Sequence, residues 1–166
     1  MLLDFLDKSL LQQLVAVFVG AFLALIFDRW LADRQVRNRR QAFSAALGDA
    51  LGKNAALVSQ LQKDFARLDN YIPLYPLDLE VLDATASEKY SLGIEIDVCR
   101  DIDHVRYELR HLDEKLRLLR EAGSLLDRPA PERTFFVGVR GSCTEHIPIV
   151  LQAIEQATRL LDRRGM

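Results

Sequence analysis

The chain has 166 residues, 28% of them charged, and a formal net charge of −2. That length suits one domain of modest size beside a short anchor, and the lack of a basic excess excludes the usual nucleic-acid binder. Cys99 and Cys143 stand far apart with no Cys-x-x-Cys pair, so they read as free thiols packed as small apolar side chains rather than as a disulfide framework.

The first element is an apolar helix. Residues 14–27, LVAVFVGAFLALIF, include no polar side chain, so the helix has no wet face and must be surrounded by apolar material. Fourteen residues make roughly 21 Å of helix, a length that also fits a buried core helix. Leu10 and Leu11 extend the segment to 18 residues, with Gln12 and Gln13 near an interface; that is about 27 Å, close to the hydrocarbon thickness of a bilayer. Twelve of the 18 are Leu, Ile, Val or Phe, for which insertion contributes on the order of −4 to −7 kcal/mol. Trp30 follows where an interfacial aromatic anchor belongs. The expectation is a transmembrane helix.

Charges set its direction. Asp4, Asp7 and Lys8 precede the run, whereas Arg29, Arg34, Arg37, Arg39 and Arg40 follow it. Basic flanks remain in the cytoplasm, so the expected N-terminus is outside and the rest of the chain inside. A secretory signal would carry its positive charge ahead of the apolar core and small residues behind it; here Asp28, Arg29 and Trp30 come behind. Arg34, Arg37, Arg39 and Arg40, with Trp30, are the candidates for lipid contact or for fixing topology, since basic residues near an anionic surface contribute about 1 kcal/mol each. Ala16, Gly20 and Ala24, spaced by four, form a face on which a second membrane helix could approach closely.

The next element is a long helix over residues 31–72. Its apolar seam runs through Phe43, Leu47, Leu51, Val58, Leu61, Phe65, Leu68 and Ile72 at steps of three and four. Asn54 interrupts that seam, either as a register-setting buried amide or as a partly exposed edge position. Pro73 and Pro76 end the helix. A short helix over 78–90 follows with Asp78 as its N-cap, and Gly93 breaks the chain. The clearest periodicity covers 94–122: Ile94, Val98, Ile102, Val105, Leu109, Leu112, Leu116 and Leu119, with Gly123 as the stop. After the proline-bounded DRPAPE connection, a last helix over 132–163 follows Phe135, Val139, Cys143, Ile147, Val150, Ile154, Ala157 and Leu161. Its first part, TFFVGVRG, also has strand character, and Ser142 to Glu145 followed by Pro148 has the form of a helix restart. The expected fold class is all-α: a single N-terminal transmembrane helix (residues 1–30 with its outer tail) continuing into a cytoplasmic antiparallel helical bundle (residues 31–166).

One stripe carries candidate chemistry. Asp97, Asp101, His104, Glu108 and His111 step by four and three along one helix. Asp101-x-x-His104 and Glu108-x-x-His111 match the spacing of di-iron carboxylate bundles, which draw such pairs from two different helices. The competing reading is a solvated edge with local ion pairs. No nucleophile elbow is present, and GVRGSC lacks the Gly-Lys-Ser/Thr ending of a phosphate loop. No cofactor or small-molecule substrate is implied.

These features predict a non-enzymatic, single-pass inner-membrane protein that acts as an accessory subunit or scaffold. Its expected partners are membrane lipids and either a membrane complex or copies of itself. The alternatives are a small homo-oligomeric channel, with Gln12 and Gln13 at its outer mouth, and a metal-binding enzyme using the Asp/His stripe. The layout is similar to that of small bacterial membrane proteins with one span, an Arg-rich exit and a helical cytoplasmic domain; the bacterial assignment rests on that layout alone.

Overall fold

A computed structural model describes residues 8–89, 92–123 and 130–163, without the side chains of residues 8–11, 87 and 130–132. The side chains of Leu10 and Leu11, the acidic residues Asp4 and Asp7, Tyr90 and the first half of the DRPAPE connection lie outside the described residues. The fold is all-α, with four helices among the described residues: α1 (Lys8–Arg67), α2 (Glu80–Glu88), α3 (Ile96–Gly123) and α4 (Ala130–Arg163). The chain forms two compact units, Met1–Arg40 and Gln41–Met166.

In the first unit every described side chain from Gln12 to Arg40 is exposed. Here α1 is long and apolar enough to cross a membrane. The second unit holds the core. From α1 it takes Phe43, Leu47, Leu51, Val58, Leu61 and Phe65, as the spacing predicts. Every apolar position expected on α3 from Val98 to Leu119 is buried, Val105, Leu109, Leu112, Leu116 and Leu119 completely so. The α4 seam holds from Cys143 to Leu161. It fails at the start, where Phe136 is buried and Phe135 is 54% exposed. Phe136 lies seven residues before Cys143, two helical turns at the 3.5-residue period of a packed seam, whereas two steps of four back from Cys143 drift off the face.

α1 stops at Arg67, before the expected end at Ile72. Its last carbonyls lack intrahelical partners, and Arg140 of α4 supplies them: the guanidinium donates to the carbonyls of Phe65 and Leu68 and lies 5.7 Å from the Phe65 ring centroid. With those groups satisfied, the chain turns before Pro73 rather than at it. Leu68, formerly next in the seam, is consequently 53% exposed.

Asn54 is fully buried. Its Nδ2 donates to the carbonyls of Ala50 (3.0 Å) and Asp78 (2.7 Å), while its Oδ1 accepts from the Asp78 N–H at 3.0 Å. It therefore fixes the segment that leads into α2, and the edge-position reading is wrong. The same bonds correct the assignment of Asp78 as N-cap. Its backbone is committed to Asn54, Leu79 takes the cap position in helical conformation, and no side chain caps α2. α2 accordingly covers Glu80–Glu88, shorter at both ends than 78–90.

Gly93 provides the expected break, at φ 61°, where a side chain would be strained. At Gly123, the last described residue of α3, the requirement is space instead: a Cβ there would collide with the Ile72 side chain. α4 is one helix across residues 134–142, and Pro148 lies inside it. Ser142 is thus a mid-helix residue and starts nothing.

Candidate functional site

On the first unit, Ala16, Gly20 and Ala24 are exposed along α1, and a Cβ at Gly20 would meet nothing within 4 Å. The large apolar side chains around them are between 46% exposed (Leu14) and 73% exposed (Phe18). Trp30 packs against Phe27, with ring centroids 5.7 Å apart, and the Arg34 guanidinium lies 5.3 Å from the Trp30 ring centroid. That contact holds the indole and a cation together, the combination that suits an interface between hydrocarbon and head groups. Arg37, Arg39 and Arg40 are exposed on the same helix.

The Asp/His stripe is not gathered as a whole into one set of ligands. Among the described residues no group of three or more His, Cys, Asp or Glu is placed to hold a metal ion. Nor is it merely a solvated edge. Asp97 is exposed and lies 3.9 Å from Arg100, whereas Asp101 is buried and accepts from Gln156 Nε2 of α4 at 3.0 Å. Glu108 is buried against His146 of α4: His146 Nε2 lies 3.1 Å from its Oε2 and 3.3 Å from its backbone carbonyl. His104 Nδ1 stands 3.7 Å from the other carboxylate oxygen. His111 stacks on Tyr107 and meets the edge of His146 at 4.9 Å between ring centroids. Three of the stripe's five residues, His104, Glu108 and His111, thus converge with His146: His104 and His146 flank the Glu108 carboxylate, and His111 meets the His146 ring.

The antiparallel pairing of α3 with α4 builds this cluster. Asp101 meets Gln156, Glu108 meets His146, and Lys115 Nζ reaches the Ser142 carbonyl at 3.4 Å. Burial holds the His146 imidazole below its ordinary pKa, with the positive charge of Lys115 acting in the same sense. One turn earlier on α4, burial pushes the Cys143 thiol up to about 11, so it is no thiolate nucleophile at neutral pH. Cys99 is likewise buried and free.

Two further groups of contacts tie the second unit together. Asp83 of α2 binds Arg106 Nε at 2.7 Å and Arg110 Nη2 at 2.8 Å, and the Arg110 hydrogen bonds foremost hold its carboxyl below the usual range. Lys89, 2% exposed, pairs with Asp103. Between α1 and α4 lies an open groove of about 720 Å³, whose walls include Gly48, Gly52 and Ala55 on one side and Pro148 and Leu151 on the other.

Sequence reasoning singled out most of the α3 cluster but missed His146 and Gln156. Their signal was available only as a register. Once α3 and α4 are set antiparallel, polar residues on the two seams fall opposite one another. In comparison with known proteins, no family model, curated protein or solved structure matches the chain.

Proposed function

We propose that the protein is a single-pass membrane protein of the inner membrane, with its N-terminus outside and its helical bundle in the cytoplasm. It works without catalysis, as an accessory subunit or scaffold that binds a membrane complex or copies of itself through helix faces. One observation carries the reading: residues 14–27 are apolar around the whole helix and exposed along all of it. Such a surface is not stable in water, since exposed apolar patches of that extent mark membrane or protein contacts. Support comes from the Trp30–Arg34 contact and from the arginines that follow the run.

The scaffold role rests on two faces. Ala16, Gly20 and Ala24 suit close helix approach in the bilayer, and the groove lined by Gly48 and Gly52 suits it in the bundle. Purification from membranes in mild detergent, with mass and composition measured, tests the role directly. A stoichiometric partner protein or a defined homo-oligomer supports it, and a lone monomer speaks against it. Extraction with alkaline carbonate tests the membrane placement, which release into the soluble fraction would overturn. A reporter fused to the C-terminus checks direction and is expected to be active only in the cytoplasm.

A further inference from the structure

One face of α1 changes chemistry in the order in which a phospholipid does. Leu23, Phe27, Trp30, Arg34 and Arg37 follow one another at steps of four and three, the spacing that keeps side chains on one side of a helix. Two contacts along the stripe agree with it: the Phe27 and Trp30 ring centroids are 5.7 Å apart, and the Arg34 guanidinium lies over the Trp30 ring at 5.3 Å. Leu23 is 59% exposed, Phe27 60% and Trp30 47%, and Arg34 and Arg37 are exposed beyond them. Helical side chains lean toward the N-terminus of their helix. Here that direction is back toward the apolar run, and the seat of Arg34 on Trp30 shows the lean directly. From Leu23 to Arg37 the axis rises roughly 21 Å, about the depth of half a bilayer with its head groups.

Charge selects the sign of the ligand. Between Asp28 and Arg40 five arginines stand against two aspartates, whereas from Gln41 onward acids outnumber bases by 20 to 16, so an anion is drawn to this segment rather than to the rest of the chain. Guanidinium groups match the geometry of a phosphate with parallel N–H donors, and Trp30 holds one of the two in place. We propose that Leu23, Phe27, Trp30, Arg34 and Arg37 form a site for one anionic phospholipid. Its phosphate lies between the guanidinium groups of Arg34 and Arg37, and an acyl chain runs along Phe27 and Leu23. The inference rests on the membrane placement proposed above and adds a chemically specific partner to it. Arg39 supplies the contrast: it carries the same charge two residues beyond Arg37, yet it lies about 180° around the helix from Trp30.

The test uses the full-length protein exchanged into mixed micelles of phosphatidylglycerol and phosphatidylcholine in equal amounts. After size exclusion, the lipid that stays bound is counted by mass spectrometry. The wild type should retain phosphatidylglycerol in preference to phosphatidylcholine. A cation near an anionic surface contributes about fivefold in binding, so Arg34→Gln and Arg37→Gln should each lower the preference about fivefold. Arg39→Gln should lower it by less than about twofold, through long-range attraction alone. Equal losses from Arg37→Gln and Arg39→Gln would mean that charge acts diffusely, and would overturn the site. Inorganic phosphate, matched in ionic strength to a chloride control, should not displace the lipid, because it has no chain to meet Leu23 and Phe27; displacement would assign the guanidinium pair to free phosphate and overturn the lipid assignment. Failure of the membrane placement is a separate result, namely release of the wild type by alkaline carbonate. A wild type that resists carbonate yet retains both lipids equally overturns the lipid site alone.

Discussion

From residue 14 to residue 27 helix α1 has no polar side chain at any angle, whereas from Phe43 to Phe65 its large buried apolar side chains follow one stripe of the helix. Both stretches are helix with ample apolar content, yet Leu47 and Val58 are completely buried while Phe18 is 73% exposed. The periodic stretch needs one apolar neighbour along one stripe, and the chain supplies it from α3 and α4. The continuous stretch needs apolar surroundings on all sides, and its described side chains are all exposed. Periodicity therefore says what a helix expects to meet, which composition alone does not.

Removing residues 1–40 gives the largest effect that separates the two stretches. The insertion free energy on the order of −4 to −7 kcal/mol corresponds to roughly 10³- to 10⁵-fold in partitioning, so the remaining chain should move from the membrane pellet to the supernatant. The core is drawn from residues beyond 40, so circular dichroism of the shortened chain should still show a cooperative helical transition. A shortened chain that unfolds would mean that the bundle draws stability from the apolar segment.

Truncating one leucine in each stretch sharpens the contrast. Leu112 is fully buried on α3, and Leu112→Ala should cost about 2–5 kcal/mol in unfolding experiments. Leu23 is 59% exposed, and Leu23→Ala should leave the bundle's denaturation midpoint within about 0.5 kcal/mol of the wild type. Comparable losses from the two changes would make the comparison wrong.

The same contrast explains which parts of the fold the sequence discloses. The α3 seam is legible because a helix packed along one stripe repeats its pattern locally, and the seven positions from Val98 to Leu119 record it without interruption, while Ile94 precedes the helix and is only partly buried. What depends on a partner far along the chain is not legible. Asn54 is settled by Asp78, 24 residues away, and the end of α1 by Arg140, more than 70 residues away. Phe135 and Phe136 are adjacent and chemically identical, so only the register against α3 chooses between them. At the candidate site, Glu108 and His111 are visible as a stripe, but their relation to His146 exists only once α4 lies antiparallel to α3.

Asn54 is the polar residue among the buried positions of the α1 seam, and it offers a break of intermediate size. Asn54→Ala removes both acceptor and donor for the Asp78 backbone, and a buried group left unpaired costs about 1–3 kcal/mol. The expected result is a lower unfolding midpoint together with faster amide exchange at Asp78 and the start of α2. If stability falls but exchange near Asp78 does not rise, the side chain does not fix that segment.

A pH titration of stability reaches the second unit without mutation. The folded state holds His146 below its ordinary pKa, by burial first and the Lys115 charge second. It therefore takes up that proton at lower pH than the unfolded chain does. The stabilisation is complete above about pH 6.5, the ordinary histidine value, and is lost as pH falls from there through the folded-state value. Chemical denaturation at pH 7.5 and 5.5 should show the loss in the wild type and its near absence in His146→Gln.

The smallest expected effect concerns two glycines in the packed stretch of α1. In the interior of a helix each costs about 1 kcal/mol relative to alanine, and a close neighbour would explain that cost. None is present: a Cβ at Gly48 or Gly52 would meet nothing within 4 Å. Gly48→Ala and Gly52→Ala should therefore each stabilise the isolated protein by about 1 kcal/mol, a rise in melting temperature of about 3 °C. The informative comparison is between that protein and the complex recovered from membranes. If alanine stabilises the isolated chain but weakens the complex, the glycines serve a helix that enters the groove beside Pro148 and Leu151. If alanine stabilises the chain and leaves the complex intact, assembly does not use this groove, and the small-residue face at Ala16, Gly20 and Ala24 becomes the place to substitute next.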